Sequence, residues 1–248
     1  MIGRLAGTAV SFGVAAGVTR AVYAGLRRRR PDERLRRTNH AGRTVDLYAG
    51  PAAALGVAAG ALGAGNGPVA FAVLASGACG AYDDVVGAGD GRRGFRAHLG
   101  ALRDGEVTSG AVKLFGIGAA GLAAGALLKE RPVDRLLAGV VIAGTAHLVN
   151  LVDVAPGRAS FAVLGIAAPG LLRGRLAAAP MGAVLAVLGD DLGERTMLGD
   201  TGAHALGAAV GGAIAAGNGR FGLAVHAAGL VAAAACGGRI SELARSPV

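Results

Sequence analysis

The chain has 248 residues, of which 53% are hydrophobic and only 17% charged, and its formal net charge is +9. Soluble domains carry roughly 25% charged residues, so this composition argues against one and for helices that span a bilayer. The positive charge does not indicate nucleic acid. Aromatics are 4% with no Trp, no zinc-finger or related motif occurs, and the arginines sit between apolar runs, where topology and anionic headgroups place them.

In chain order the apolar runs are 3–26, 48–64, 67–82, 109–128, 132–150, 159–172, 175–189, 201–217 and 220–237. These are about nine segments, each near the ~20 residues a span requires. The expectation is an all-α polytopic membrane bundle forming a single domain over 1–248. No small-residue cleavage site follows the first run, so it is read as a spanning helix and not a removed signal. The runs are rich in Gly and Ala, which lets helices approach closely in lipid. Cys79 and Cys236 lie inside apolar runs and are read as small packing residues.

The loop after the first run contains Arg27, Arg28, Arg29, Arg30, Arg34, Arg36, Arg37 and Arg43, which assigns it to the cytoplasm. Alternation then places loops 27–47, 83–108, 150–158 and 190–200 and the C-terminus inside, with the N-terminus outside. About 18 basic residues fall on the inner side against about 7 outside, as the positive-inside rule requires. The polar clusters Asn39-His40, Asp83-Asp84, Asn150 to Asp153 and Asp190 to Asp200 all fall on that same side, while outer connections such as 63–67 and 216–219 are short and bland. One face therefore reads as the working surface.

Asp83 and Asp84 close the third run. Adjacent carboxylates repel unless a proton or cation intervenes, and a hard divalent ion suits them; a solvated helix end would look the same. Lys113 opens the fourth run, where a membrane-embedded ammonium points to function unless it snorkels to the interface. Asn150 and Asp153 end the fifth run, placed either to cap it or to hydrogen-bond a nucleobase or sugar. Gly199-Asp200-Thr201-Gly202 opens the eighth run, as an N-cap or as a phosphate and cation site.

In this order and spacing the clusters resemble the polyprenyl-phosphate sugar-1-phosphate transferases, the membrane family that includes the phospho-MurNAc-pentapeptide and polyprenyl-phosphate GlcNAc-1-phosphate transferases. The resemblance runs from about residue 36 to about 210 and rests on the loop Asn39 to Gly50, the pair Asp83-Asp84, the stretch His98 to Lys113, Asn150 to Asp153, and Gly199 to Gly202. It implies transfer of a sugar-1-phosphate from a nucleotide sugar, expected to be a UDP-sugar, to a polyprenyl phosphate, dependent on Mg²⁺ with Mn²⁺ as the alternative. It further implies that Asp83, Asp84 and Asp200 are catalytic and hold the metal. Asn39, Arg43, Lys113, Asn150 and Asp153 would then contact substrate. A bacterial cytoplasmic membrane location, an envelope-glycan product and a homodimer are what the resemblance suggests beyond the site.

The chain departs from the family pattern where the nucleotide is held. Pro156 stands where a second Asp is usual, His147 where the first Asn of Asn-x-x-Asn is usual, and Met197 where an aromatic is common. The alternative is therefore a catalytically degenerate member that binds lipid phosphate or scaffolds envelope synthesis. A transporter fits less well, because its ionisable groups would line a route through the bundle instead of gathering at one end. Gly116 to Gly121 matches a dinucleotide-binding spacing, but inside an apolar run it is read as helix packing.

Overall fold

The computed structural model describes residues 2–29, 32–39, 41–89, 92 and 95–245. Arg30 and His40 lie outside the described residues. The described residues form eleven α-helices and one two-stranded hairpin: α1 (Ile2–Arg27), β1 (Arg36–Thr38), β2 (Thr44–Asp46), α2 (Ala49–Gly63), α3 (Gly67–Val86), α4 (Phe95–Arg103), α5 (Ser109–Leu128), α6 (Pro132–Val152), α7 (Arg158–Ala167), α8 (Ala178–Leu192), α9 (Gly199–Gly217), α10 (Arg220–Ala235) and α11 (Gly237–Arg245).

Every apolar run of the sequence becomes a helix, and 109–128 becomes α5 residue for residue. The starts have local causes. Asn66 accepts from the Val69 amide at 3.0 Å, with Pro68 in the first turn of α3, and Thr108 accepts from the Ala111 amide at 3.1 Å to open α5. Both leave fewer orphan donors at the helix start. The run 159–172 does not stay one α-helix: it tightens into a 3-10 turn over Ala168–Leu172, where Pro169 cannot continue the α ladder.

Span number is narrower than helix number. Among the described residues, four helices are long and apolar enough to cross a membrane, namely α1 (from Leu5), α3, α5 and α6, and a fifth is added if α10 and α11, bent by 78°, count as one. With 15 residues, α2 is about 22 Å long against a ~30 Å hydrocarbon core. Between 17% and 44% of each spanning stretch is buried inside the protein. Its outer surface exposes Leu5, Phe71, Phe115, Leu127 and Phe161, an apolar coat that water does not favour. These helices suggest a membrane-associated protein.

Helix α9 forms the centre, in contact with α2, α3 and α6, while α1 and α8 flank α2 and α5 and α10 flank α6. Thirteen of its residues are buried. It joins two apolar clusters, one around Ala52, Val57, Val184 and Leu206, the other around Ile117, Ile142 and Leu223. Closeness comes from missing side chains: a Cβ on Gly207 would sit 2.6 Å from the Ala146 Cα, and one on Gly211 would sit 2.7 Å from the Ile142 Cα. Small residues let the α6 and α9 backbones touch.

Polar connections gather at one end, as their sequence order predicts. There Arg20 of α1 meets Asp190 of α8, Lys113 of α5 meets Asp83 of α3, and the Gly157 amide before α7 meets Asp191. Two elements in these connections lack an apolar signature and differ from the loops expected. The hairpin pairs Arg36 with Asp46, Arg37 with Val45 and Thr38 with Thr44, and Asp46 bridges onward to Thr196. Within 83–108, α3 runs on to Val86 and α4 follows. The loop 190–200 is shorter than expected, because α8 persists to Leu192 and α9 begins at Gly199.

Candidate functional site

The last turn of α3 and the first turn of α9 meet through a glycine. A Cβ on Gly80 would lie 2.7 Å from the Thr201 nitrogen and collide with the Asp200 carbonyl, so only a glycine admits this crossing. The crossing sets Asp83 and Asp84 directly beside Asp200, 116 residues further along the chain at its nearest pair.

The two neighbouring aspartates have different jobs. Asp84 accepts from the Asp200 amide at 3.0 Å through Oδ1, and from the Thr201 amide at 2.9 Å and the Thr201 hydroxyl at 2.6 Å through Oδ2. It is the N-terminal cap of α9, supplied by another helix, where orphan amides and the helix dipole favour a carboxylate. The Gly-Asp-Thr-Gly segment is now explained position by position. Gly199 takes a left-handed φ of +58° to turn the chain into α9. Asp200 aims its side chain into the site, Thr201 binds Asp84, and Gly202 lies against Gly50, where a Cβ would be 2.9 Å from the Gly50 Cα.

Asp83 and Asp200 are joined by Lys113. Its ammonium donates to Asp83 Oδ2 at 2.7 Å and also to Asp200 Oδ2. All three side chains are largely buried, between 17% and 23% exposed, which makes the pairing strong and leaves little room for a stray charge. Ser109, on the same turn of α5 as Lys113, hydrogen-bonds the Asp83 carboxylate. Two carboxylates thus face one ammonium, and the start of α9 offsets the third, Asp84.

This arrangement bears on a metal. Magnesium takes oxygen ligands and commonly keeps waters with only one or two carboxylates. Asp83 and Asp200 fit that need, since the ammonium between them marks a position of strong negative potential. Asp84 fits less well, because both of its oxygens already accept from α9. Among the described residues no group of three His, Cys, Asp or Glu side chains forms a ready-made metal site.

A second cluster adjoins the first. Asn39, Asp153, Pro156, Asp191, Glu194 and Met197 line a cleft of about 70 Å³, well under the roughly 300 Å³ at which small-molecule pockets begin. Asn39 donates to Glu194 at 2.6 Å and accepts from the Ala41 and Arg43 amides at 3.0 and 2.8 Å, so it also closes the hairpin turn. Arg43 reaches Glu194 at 3.9 Å. Asp153 stands just past the end of α6. Loss of solvent, and then the negative charges of Asp191, Asp200 and Asp84, push its carboxyl well above the usual range.

Of the residues selected from sequence, Asp83, Asp84, Lys113 and Asp200 come together in one site, and Asn39 and Asp153 in the cleft beside it. Arg43 touches the rim. Asn150 lies in the last turn of α6, two residues before its end, and is not among the cleft-lining residues. Pro156 and Met197 line this one cleft, while His147 is half-buried and edge-on to His204, with ring centroids 5.4 Å apart. Sequence reasoning missed Asp191, which accepts from the Gly157 amide and Ser160 hydroxyl, both at 3.1 Å, and missed Glu194 and Ser109. A signal existed for Asp191, a carboxylate adjoining Asp190 at the end of an apolar run, but its partners are far away in sequence.

No protein-family model matches the chain, and no curated protein matches it.

Proposed function

We propose that the protein is a membrane-embedded transferase that moves a sugar-1-phosphate from a nucleotide sugar, expected to be a UDP-sugar, onto a polyprenyl phosphate. The observation that carries the reading is the Lys113 ammonium shared by Asp83 and Asp200 at the polar end of the bundle. In this proposal nine helices cross or enter the bilayer, the N-terminus is outside, and the polar end faces the cytoplasm of a bacterial cell. The sharp bend of 78° between α10 and α11 supports it, because a crossing α10 would lay the amphipathic α11 along the surface.

The chemistry suits an anion-on-anion displacement. A lipid-phosphate oxygen attacks the sugar-linked phosphorus, the bond from that phosphorus to the UMP oxygen breaks, and UMP leaves with the electron pair. Positioning and charge neutralisation dominate such transfers. Lys113 turns from its carboxylates to the pyrophosphate, and Asp83 accepts the proton of the attacking phosphate when that phosphate carries one. Asp84 holds α9, and thereby Asp200, in place. Magnesium, held by Asp83 and Asp200, would supply further neutralisation of the leaving UMP. Asn39, Arg43 and Asp153 take the nucleotide side, with Asn150 behind them, and the loop 193–197 opens the narrow cleft to admit it.

A second reading is favoured by Pro156 and Met197, which place apolar side chains where a nucleotide would be gripped. It is a degenerate member that binds lipid phosphate or scaffolds envelope synthesis. UMP release separates the two. Purified protein with Mg²⁺, a polyprenyl phosphate and a panel of UDP-sugars is expected to release UMP only when lipid and metal are both present, and Asp200→Asn is expected to abolish it. Folded protein that releases none and shows no Mg²⁺-dependent nucleotide binding would overturn the transferase in favour of the scaffold.

A further inference from the structure

A second polar cavity lies outside the carboxylate site. It has a volume of about 230 Å³ at the end of α1, and Arg27, Arg29, Arg36 and Arg195 line it together with Tyr48 and one carboxylate, Asp46. The four arginines arrive from separate elements: two from the end of α1 and its exit, one from β1, one from the loop between α8 and α9. Neither Asp83, Asp84, Lys113 nor Asp200 borders it.

The neighbourhood is short of negative charge. Asp190 alone serves Arg20 at 3.0 Å, Arg27 at 3.7 Å and Arg195 at 2.7 Å. Arg36 has Glu33 at 2.9 Å, and Arg29 has no ion pair among the described residues. The remaining carboxylate, Asp46, already accepts from the Tyr48 amide and the Thr196 hydroxyl. Five guanidinium groups therefore share three carboxylates. The Tyr48 hydroxyl accepts from the Asp32 amide at 3.2 Å, which leaves its own proton to donate. Guanidinium forks and a hydroxyl donor suit a tetrahedral phosphate.

The position identifies the source of that phosphate. Arg27 is the last residue of the apolar stretch of α1, and Arg20 lies seven residues, about 10 Å, further in. Both guanidiniums lie over the ring of the buried Tyr23, at 5.8 and 5.6 Å from its centroid, which holds them at this end of α1. Above them α1 exposes Leu5, Val10, Phe12 and Val14, so acyl chains reach the helix. We infer that this arginine cavity holds the phosphate of an anionic phospholipid headgroup, at a site separate from the carboxylates and occupied without turnover.

Retention of added phospholipid on the purified full chain in neutral detergent tests the inference, and it needs no transferase activity. Phosphatidylglycerol is expected to be retained over phosphatidylcholine, and retention is expected to fall as salt rises. The double variant Arg29→Gln/Arg36→Gln spares the Asp190 contacts and is expected to weaken phosphatidylglycerol binding about thirtyfold, at about a fivefold-to-sixfold step per arginine. An unchanged elution profile would show the variant folded, and the salt response of the native chain reads the same site without a mutation. Equal retention of both lipids, or equal retention by native chain and folded variant, would overturn the site. Displacement of phosphatidylglycerol by millimolar inorganic phosphate would overturn the lipid as its occupant and assign a soluble phosphate instead.

Discussion

The Lys113 ammonium lies 2.7 Å from the Asp83 carboxylate and in contact with that of Asp200, although the three residues belong to three helices. A cation placed between two largely buried carboxylates is as much a structural part as a chemical one. Removing it leaves two negative charges facing each other, and the loss of one partner from a buried pair costs about 3–5 kcal/mol. Lys113→Met is expected to lower unfolding stability by roughly that amount, with part of it regained in Lys113→Met/Asp83→Asn. Thermal unfolding of the detergent-solubilised protein reads both. Equal stability of the single and double variants would mean that the ammonium does not neutralise Asp83.

Asp84 separates capping from metal binding. All three of its hydrogen bonds go to the start of α9, so Asp84→Ala is expected to destabilise by about 1–3 kcal/mol, the cost of losing a charged cap. Hydrogen exchange at the Asp200 and Thr201 amides should quicken in that variant. Mg²⁺ affinity is expected to drop clearly further in Asp83→Asn than in Asp84→Asn, since the oxygens of Asp84 are taken up by the start of α9. Comparable losses in the two would make Asp84 a ligand.

Gly80 and Gly118 form a matched pair of helix glycines. A Cβ at Gly80 would strike the α9 backbone, whereas one at Gly118 would meet nothing within 4 Å. Gly80→Ala is therefore expected to cost about 1–3 kcal/mol through forced separation of α3 and α9, and to abolish UMP release by moving Asp200. Gly118→Ala is expected to be neutral or to gain up to about 1 kcal/mol from helix propensity. Two unfolding curves decide between a close approach and mere glycine content.

What was legible in the sequence follows from what each feature depends on. Apolar runs depend on local composition, so all nine became helices. How many can cross the bilayer depends on length and on how apolar the whole stretch is: α2 is apolar but has only 15 residues. The hairpin has no apolar periodicity of its own and is held by Thr196, 150 residues beyond Asp46. The order of Asp83-Asp84, Lys113 and Asp200 picked out residues that do meet. Nothing local shows that Asp84 serves α9 while its neighbour serves Lys113, because that division is set by which carboxylate faces the crossing at Gly80.

Asp153 ties stability to pH with a definite sign. Its folded carboxyl holds a proton more tightly than the unfolded chain, where about 3.9 is usual. The stability it contributes is therefore complete below that unfolded value and is lost as pH rises toward the folded one. The charged form of Asp153 opposes folding, because it has lost solvent and because Asp191, Asp200 and Asp84 surround it with like charge. Asp153→Asn keeps the size and removes the charge. It is expected to melt higher than the native chain at pH 8, by an amount that shrinks toward pH 4, and to lose donor binding if the side chain reads the nucleotide. Melting points of both proteins across that range, beside UMP release, test the two claims separately. A gap that does not change with pH would show that Asp153 carries the same charge in the folded and unfolded chain.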